Sequence, residues 1–452
     1  MNSEIKNKIP PGPKSNIPFA NLFSFRKDSL DFLRKASQEY GDIVHFKMGP
    51  LRIVYLNHPD YVKEVLLTQN SNFVKGRPLE VAKEILGEGL LTSEGDFHKR
   101  QSRIMQPAFH MRMMDTYAPA MIECSSRLIS DWEDGVTVDM FEEMVKLGTG
   151  IAGKTLFNVD IEKEIPEINS ALKDVMNLFG RITMPLAELS LKLPLPGNKR
   201  FFKAKKRLDN TIYRIIDERR DKRLNNGDFL SLLLSAQDEI GRDGGMTDLQ
   251  IRDEALTLFL TAFDTTSLAL TWTWYLLSQN PEVEAELHEE LDRVLQGRTP
   301  TAADYSKLEF TRMVFEESMR LYPPIYIISR QALKDFHIGD YVVPGGAIVL
   351  MSPYLTHRDS RFHKDPDKFN PHNSKERSAG PNSKYEYFPF SAGPRSCIGQ
   401  SFAWYEGVLL VATIAQKWKA NLVPGHKVEF DQLINLRPKH GMKMKLQRRT
   451  SK

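Results

Sequence analysis

The sequence predicts a mainly α-helical protein with a small β-rich region, and three observations support this fold class. Apolar residues recur at helical spacing over about residues 97–277. Alternating apolar residues at 43–56 flank a Gly-Pro pair, which is typical of a hairpin and predicts a β-rich region at about 40–70. Further short strand-like pieces lie at about 325–350 and 430–446.

The helical elements follow in chain order. Pro59 opens a short helical segment because proline suits the first position of a helix. Residues 256–277 are long and apolar, but Asp264 would be costly in lipid, so we expect a buried helix and no stable membrane span. Further helices are expected at 311–321, ahead of a Pro-Pro pair, and at 400–418.

Composition and charge exclude several classes of protein. Lys and Arg number 62 against 58 Asp and Glu, so the charge gives no reason to expect nucleic-acid binding. Cys124 and Cys397 stand in unlike contexts, which indicates neither a disulfide framework nor a zinc site. The first nine residues hold no apolar run, so we expect no signal peptide or anchor and a cytoplasmic protein.

The strongest functional signal is one cysteine in a glycine-bounded loop before an apolar helix, Phe390-Ser-Ala-Gly-Pro-Arg-Ser-Cys-Ile-Gly399. At a helix N-terminus, unpaired backbone N–H groups and the helix dipole stabilise a thiolate, and Arg395 would add positive charge. Such a sulfur is a metal ligand or a nucleophile. The alternative is that Cys397 is only a small apolar side chain in a turn, as most lone intracellular cysteines are.

The loop resembles the signature Phe-x-x-Gly-x-Arg-x-Cys-x-Gly of the cytochrome P-450 superfamily at every fixed position. The resemblance implies heme b (iron protoporphyrin IX) with its iron bound by Cys397, and Phe390 and Gly399 beside the cofactor. It also implies the triangular-prism fold of that family. Length alone would predict about three domains. Because motifs from His98 to Cys397 must meet at one cofactor, we expect a single heme-thiolate domain over residues 1–452, in a monomer.

Two further segments resemble structural motifs of the family. Glu317 and Arg320 match its Glu-x-x-Arg pair, and a spacing of three places both side chains on one helical face. Elsewhere such a pair is usually a solvated ion pair, but here the resemblance implies a buried architectural clamp near the cysteine side of the heme. The arginine that normally completes this clamp aligns with Asn373, so we expect a neutral hydrogen bond to Glu317 and a weaker clamp.

Residues 261–266, Thr-Ala-Phe-Asp-Thr-Thr, resemble the helical segment that crosses the distal face of the heme in this family. A carboxylate in an apolar helix is costly, which argues against an incidental polar side chain. By the resemblance, Asp264 and Thr265 are catalytic, because an acid followed by a hydroxyl can hold water and relay protons to dioxygen. Ala262 stands where glycine is usual, so the groove for dioxygen is expected to be slightly tighter.

The resemblance further implies cationic or hydrogen-bonding partners for the two heme propionates. We carry over His98, Arg330 and Arg395 for this role. Ser102 stands where the family commonly has arginine or histidine, so one contact to a propionate is expected to be missing unless Arg103 replaces it.

Together these motifs predict a monooxygenase that inserts one oxygen atom of O2 into an apolar substrate. No flavin- or nicotinamide-binding segment is recognisable, so we expect electrons from a separate ferredoxin or flavodoxin with its reductase, docking near Lys384, Arg395 and Lys417. Two alternatives stay open. One is a peroxide-driven peroxygenase or isomerase, whose members commonly lack the acid–hydroxyl pair; the other is a non-catalytic heme sensor, which would leave that pair without a purpose.

Four segments are expected to wall the substrate pocket: residues 73–91, residues 175–196, the distal helix around Thr261, and residues 325–328. Their apolar character suits a fatty acid, a terpenoid, a steroid or a carotenoid. The same leucines and isoleucines are equally typical of a protein core, so the sequence does not choose among these substrates.

Overall fold

The computed structural model describes residues 8–14, 19–159, 167, 170–171, 193, 195–221, 228–238, 246–377, 383–432 and 435–449. Within these residues the helices are α1 Ala20–Lys27, α2 Ser29–Tyr40, α3 Pro59–Lys63, α4 Arg77–Leu86, α5 Gly95–Met105, α6 Met111–Ser130, α7 Met140–Phe157, α8 Pro196–Asp221, α9 Phe229–Asp238, α10 Asp248–Gln279, α11 Pro281–Leu295, α12 Glu309–Leu321, α13 Pro353–Thr356, α14 Asn373–Arg377, α15 Ser383–Glu386 and α16 Gln400–Ala415.

The strands are short and form small sheets. They are β1 Ile43–Met48, β2 Leu51–Leu56, β3 Phe73–Lys75, β4 Thr137–Asp139, β5 Ile328–Ala332, β6 Phe336–Ile338, β7 Tyr341–Val343, β8 Ile348–Met351, β9 Trp418–Leu422, β10 Phe430–Gln432, β11 Leu436–Pro438 and β12 Lys443–Arg448. The largest described sheet has the order β1-β2-β8-β5-β3, and β2 and β8 are its parallel pair. The predicted fold class, mainly helical with a small β-rich region, is therefore confirmed.

The predicted hairpin is β1 and β2, which pair from Ile43 with Leu56 to Met48 with Leu51. Two predicted boundaries differ from the structure. The helix expected to reach residue 418 ends at Ala415, because Trp418 instead pairs with Arg448 of β12. The strand expected from residue 325 begins at Ile328, after the segment that follows the Pro-Pro pair.

The long helix α10 joins the two largest apolar clusters of the protein. Its first half packs in one cluster with α4, α8 and α9, and its second half packs in the other with α6, α12 and α16. Thr247 and Gln250 cap its start reciprocally, and Asn280 ends it ahead of α11. At Gly148 of α7, a Cβ would lie 2.7 Å from the Ser267 hydroxyl, so glycine permits the close packing of α7 on α10.

The long apolar segment at residues 256–277 thus lies in an interior helix, as expected. Even α10, at 32 residues the longest described helix, lacks the sustained apolar run that crossing a bilayer would need, and the shorter described helices lack it as well.

Candidate active site around Cys397

The loop that carries Cys397 is shaped by its own backbone. The Cys397 N–H donates to the Phe390 carbonyl at 2.9 Å, and the chain between them makes a tight turn at Gly393–Arg395. Gly393 has φ 74°, and a Cβ there would lie 2.0 Å from the Leu66 carbonyl oxygen. Only glycine meets both demands, because it tolerates positive φ and leaves room for the neighbouring backbone. Gly399 then caps α16.

The Cys397 side chain borders an internal space. The side chain is accessible to solvent. The protein atoms packed around it nevertheless raise the pKa of its thiol. Both observations hold when a side chain faces a cavity inside the protein. A hydrogen bond from the Gly399 backbone partly opposes this rise in pKa. Arg395 does not, because its side chain turns away, so the expected charge stabilisation of the thiolate by Arg395 is wrong.

One face of α10 borders an internal space as well. Leu260, Thr261, Ala262 and Thr265 are only half-buried, although the helix is buried on both sides of them. Leu260 and Ala262 pack against the same apolar cluster as Ile398, the neighbour of Cys397. Ile398, beside the thiol, and this face of α10 therefore adjoin one apolar cluster.

Asp264 and Thr265 are neighbours in sequence but bind different partners. The Asp264 carboxylate is buried and accepts short hydrogen bonds from the Asn435 amide and the Arg437 guanidinium, next to and within β11. The Thr265 hydroxyl donates to the Thr261 carbonyl at 3.0 Å. Successive residues of a helix point about 100° apart, so this acid and this hydroxyl do not share a partner.

Glu317 and Arg320 form a buried ion pair in α12. The Arg320 Nε and one terminal nitrogen donate to the two Glu317 oxygens at 3.0 and 2.9 Å. Its other N–H groups donate to the carbonyls of His357, Pro366 and Lys368, at 2.7, 2.6 and 3.0 Å. All five donors of the guanidinium are thus used, which is what makes a buried arginine tolerable.

The clamp is connected to the cysteine loop through His357. Its Nε2 accepts the Phe388 N–H at 3.0 Å, two residues before Phe390. Asn373 does not take the predicted place of a third member. Its amide contacts Asn370 and the Lys364 carbonyl, and the Asn370 backbone N–H donates to Glu317 at 3.3 Å. The expected hydrogen bond from Asn373 to Glu317 is wrong, because the short Asn373 side chain already bonds to these two neighbours at the start of α14.

The predicted basic residues His98, Arg330 and Arg395 meet around Glu94, together with Lys75. Arg395 pairs with Glu94 at 2.5 Å and donates to the Phe73 carbonyl at 2.9 Å. The Lys75 ammonium donates to the carbonyls of Leu90 and Ser93 at 2.7 and 2.8 Å and lies 3.5 Å from the His98 Nδ1. In the sheet, Lys75 of β3 is directly opposite Arg330 of β5.

The charges of this basic cluster, defined as Lys75, His98, Arg330 and Arg395, are only partly balanced. Burial lowers the pKa of Lys75 to about 7; attraction to Glu94 opposes this shift, and repulsion from Arg395 and Arg330 adds to it. Burial and the charges of Lys75 and Arg395 lower the pKa of His98 to about 4, and burial lowers that of Arg330 to about 10. The two arginines and Lys75, desolvated and balanced by one carboxylate, are electrostatically suited to bind further anionic groups, and the neutral His98 can donate a hydrogen bond.

The chain as a whole is similar to known proteins. The family model described as Cytochrome P-450 matches residues 10–445 of the chain. The chain belongs to the cytochrome P-450 family. It is 38% identical over 429 residues to cyclooctatin synthase of Streptomyces melanosporofaciens, an alignment that covers 94% of this chain and 92% of the relative.

A second relative of this P-450 is the cyclooctat-9-en-7-ol 5-monooxygenase of the same species, 36% identical over 392 residues, with 85% and 84% of the two chains covered. Among solved structures, the cytochrome P-450DA heme domain superposes with a TM-score of 0.87 and 25% identity over 98% of both chains. The chain is thus a heme-thiolate monooxygenase with the cytochrome P-450 fold, as the loop motif predicted.

The residues of this P-450 fit a heme on two counts. Cys397 offers one thiolate on the border of an internal space, and the basic cluster offers cations for two carboxylates. Cys397 would bind the iron, and Arg330, Arg395, His98 and Lys75 would face the propionates. When bound, heme supplies the redox-active iron at which dioxygen is activated, and coordination would keep the Cys397 sulfur deprotonated despite its burial.

Sequence reasoning missed Lys75 and looked instead to Arg103 for the contact that Ser102 lacks. Arg103 is exposed on α5, whereas Lys75 is 5% exposed. A lysine that follows Phe73 and Val74 in a strand-like segment was a signal, since a charged residue at an inward strand position needs a partner. Sequence also missed Asn435 and Arg437, which no local motif distinguishes. Of the expected pocket walls, residues 175–192 and 194 lie outside the described residues.

Proposed function

We propose that this P-450 hydroxylates a cyclic terpenoid, either a hydrocarbon or its monohydroxylated derivative, with electrons from a separate redox protein. The observation that carries the proposal is the half-buried face of α10, whose side chains toward the internal space are Leu260, Thr261, Ala262 and Thr265. Methyl groups and two hydroxyls suit a rigid apolar skeleton with little polarity.

The charges argue against a fatty acid. A carboxylate in an apolar pocket needs a cationic partner, since an unpaired buried charge is strongly unfavourable. The half-buried face of α10 offers none, and the cations of the basic cluster suit the propionates. The names of the two relatives, cyclooctatin synthase and cyclooctat-9-en-7-ol 5-monooxygenase, point in the same direction, because the second describes a cyclic alkene with one hydroxyl as substrate.

Apolar residues from three of the expected walls support this choice. Leu90 and Leu91, in the loop before α5, pack partly buried against the same cluster as Ala262. Ile325 is partly buried against the cluster of the five-stranded sheet, as is Ala392 of the cysteine loop. Such walls hold a substrate by shape and apolar contact, so closely related ring systems are expected to compete.

The test is a binding series followed by turnover. Purified holoenzyme is titrated with cyclooctat-9-en-7-ol, a steroid and a long-chain fatty acid, and the spin state of the heme reports displacement of water by each compound. We expect the cyclic terpenoid alcohol to bind most tightly and to yield a hydroxylated product with a ferredoxin and its reductase, but not with peroxide alone. Tighter binding of the fatty acid would contradict the proposal.

For electron delivery, we infer docking of an acidic ferredoxin or flavodoxin at the exposed Lys384 of α15 and Lys417, just after α16. Arg395 is withdrawn from the hypothesis because Glu94 and the Phe73 carbonyl hold it inside the protein. We expect the rate of heme reduction to fall with ionic strength and with Lys417→Gln, but not with Lys35→Gln on α2. A rate that salt does not change would refute the electrostatic docking.

A further inference from the structure

The polar side chains of α10 form a line that leads from the active site into the protein interior. Thr265, Thr261, Thr257 and Glu254 follow one another at spacings of four, four and three residues. These spacings place all four on one helical face, over a rise of about 16 Å. The hydroxyls of Thr265 and Thr261 each donate to the carbonyl one turn earlier, at 3.0 and 2.8 Å, which leaves their lone pairs available.

The inner end of the line holds two buried polar atoms without a partner. Glu254 is 0% exposed and Thr257 is 2% exposed. One Glu254 oxygen accepts the Leu90 N–H at 2.8 Å, but the other oxygen and the Thr257 hydroxyl have no hydrogen-bond partner among the described residues. An orphaned buried polar atom is unfavourable, and one bridging water would satisfy both.

The loop between α4 and α5 closes this end of the line. A Cβ at Gly89 would lie 2.2 Å from the Thr257 hydroxyl, so the loop backbone lies directly against it. Two charged groups face Glu254, namely Lys75 of β3 and Asp253, the preceding residue of α10. The Asp253 carboxylate accepts the Glu88 N–H at 2.9 Å. Burial is the main cause that raises the pKa of Glu254 to about 8. The group therefore holds its proton at neutral pH.

We propose that Glu254 supplies protons to the active site along Thr257, Thr261 and Thr265, in addition to the expected acid Asp264. The proposal rests on the monooxygenase activity and not on the terpenoid substrate. Each turnover reduces one oxygen atom of O2 to water and so consumes two protons with two electrons. The Glu254 O–H bond breaks, each bridging water or hydroxyl accepts one proton and releases another, and solvent reprotonates the carboxylate.

Asp264 is poorly placed to act alone. Asn435 and Arg437 already hold its carboxylate, and it must leave them before it can approach Thr265. Glu254 needs no such rearrangement, because its free oxygen lies one turn from Thr257. Glu254 acts through the hydroxyls and is a positioning and proton-supplying residue, not one that touches the substrate.

The test uses holoenzyme without added substrate, so that it does not depend on the terpenoid proposal. Oxygen consumption is driven by a ferredoxin and its reductase and is measured against pH in H2O and D2O. In the wild type we expect the rate to fall as pH rises through about 8, where Glu254 loses its proton. Glu254→Gln should remove this limb, enlarge the solvent isotope effect and lower the rate at least about tenfold, less than the loss of a sole proton donor because Asp264 remains. Glu254→Asp should restore part of the rate.

The matched control is Asp253→Asn, a buried carboxylate that holds the same loop. It should keep the pH limb, moved to lower pH because the Asp253 charge raises the pKa of Glu254, and should leave the isotope effect unchanged. Thr257→Val, in contrast, should resemble Glu254→Gln. In the infrared spectrum, the band of a protonated carboxyl should disappear in Glu254→Gln. An unchanged pH limb in Glu254→Gln, an equal loss in Asp253→Asn, or the lack of that infrared change would each overturn the proposal.

Discussion

The two sides of the active site are built by different means. On the cysteine side the decisive contacts are local, such as the bond from the Cys397 N–H to the Phe390 carbonyl. On the helix side, Asp264 is bound by Asn435 and Arg437, 171 and 173 positions away, and Glu254 holds Leu90, 164 positions away. A short motif can therefore specify the first side, while the second exists only after distant segments have packed together.

The largest effect is expected when the heme ligand on the cysteine side is removed. Cys397→Ala removes the sulfur without changing the Gly393 turn, so the chain should fold but lose thiolate coordination and essentially all turnover. The reduced carbon-monoxide adduct of the variant should lack the red-shifted absorption of a thiolate complex. A variant spectrum identical to that of the wild type would contradict the assignment of the ligand.

The clamp that supports the cysteine side should come next. Glu317→Gln leaves the fully buried Arg320 charge uncompensated, which typically destabilises a protein by about 3–5 kcal/mol. Chemical unfolding of the variant measures the change in free energy. Arg312→Gln, which removes an exposed ion pair with Glu316 on the same helix, is the matched control and should change stability little.

Lys75 should make the stability of the apoprotein depend on pH. Its pKa is about 7 in the folded chain against 10.5 for an ordinary lysine, so between these values the unfolded chain holds more protons. The free energy of unfolding of the apoprotein should therefore rise with pH across this window, since the penalty for burying the charged amine disappears. Lys75→Met should remove this part of the rise, which urea unfolding at several pH values measures. An equal pH dependence in both proteins would refute the role of Lys75.

A smaller effect is expected from the turn itself. Gly393→Ala places a Cβ against the Leu66 carbonyl at positive φ, and strain of this kind amounts to about 1–3 kcal/mol. The melting temperature should fall, and heme should be lost faster to a scavenger protein. Gly425→Ala, at φ 79° with no neighbour near its Cβ, isolates the cost of the backbone angle from that of the contact.

The smallest change in stability is expected from a substitution on the helix side. Arg437→Gln removes a charged hydrogen bond to Asp264 and should cost about 1–3 kcal/mol or less, because the arginine is partly exposed. The same variant should raise the rate of oxygen consumption through Asp264, since its carboxylate is released from Arg437 of β11. An unchanged rate would show that Asp264 does not depend on this partner.

Much of this fold was predictable because it follows from local patterns. The β1–β2 hairpin, the interior course of α10 and the Glu317–Arg320 pair each follow from residue spacing within one element. Boundaries were less secure: Trp418 continues a helical pattern, but pairing with β12 converts it to a strand.

The sequence by itself determined the heme-thiolate chemistry, because ten consecutive residues contain the ligand, its turn and its helix cap. Only the tertiary structure decided that Arg395 turns toward Glu94, that Lys75 joins the basic cluster, and that Asp264 binds Asn435 and Arg437 at the distant strand β11. The physical reason is that a charge buried in a protein takes its partner from whichever segment folding brings near. Spacing along the chain carries no record of that neighbour.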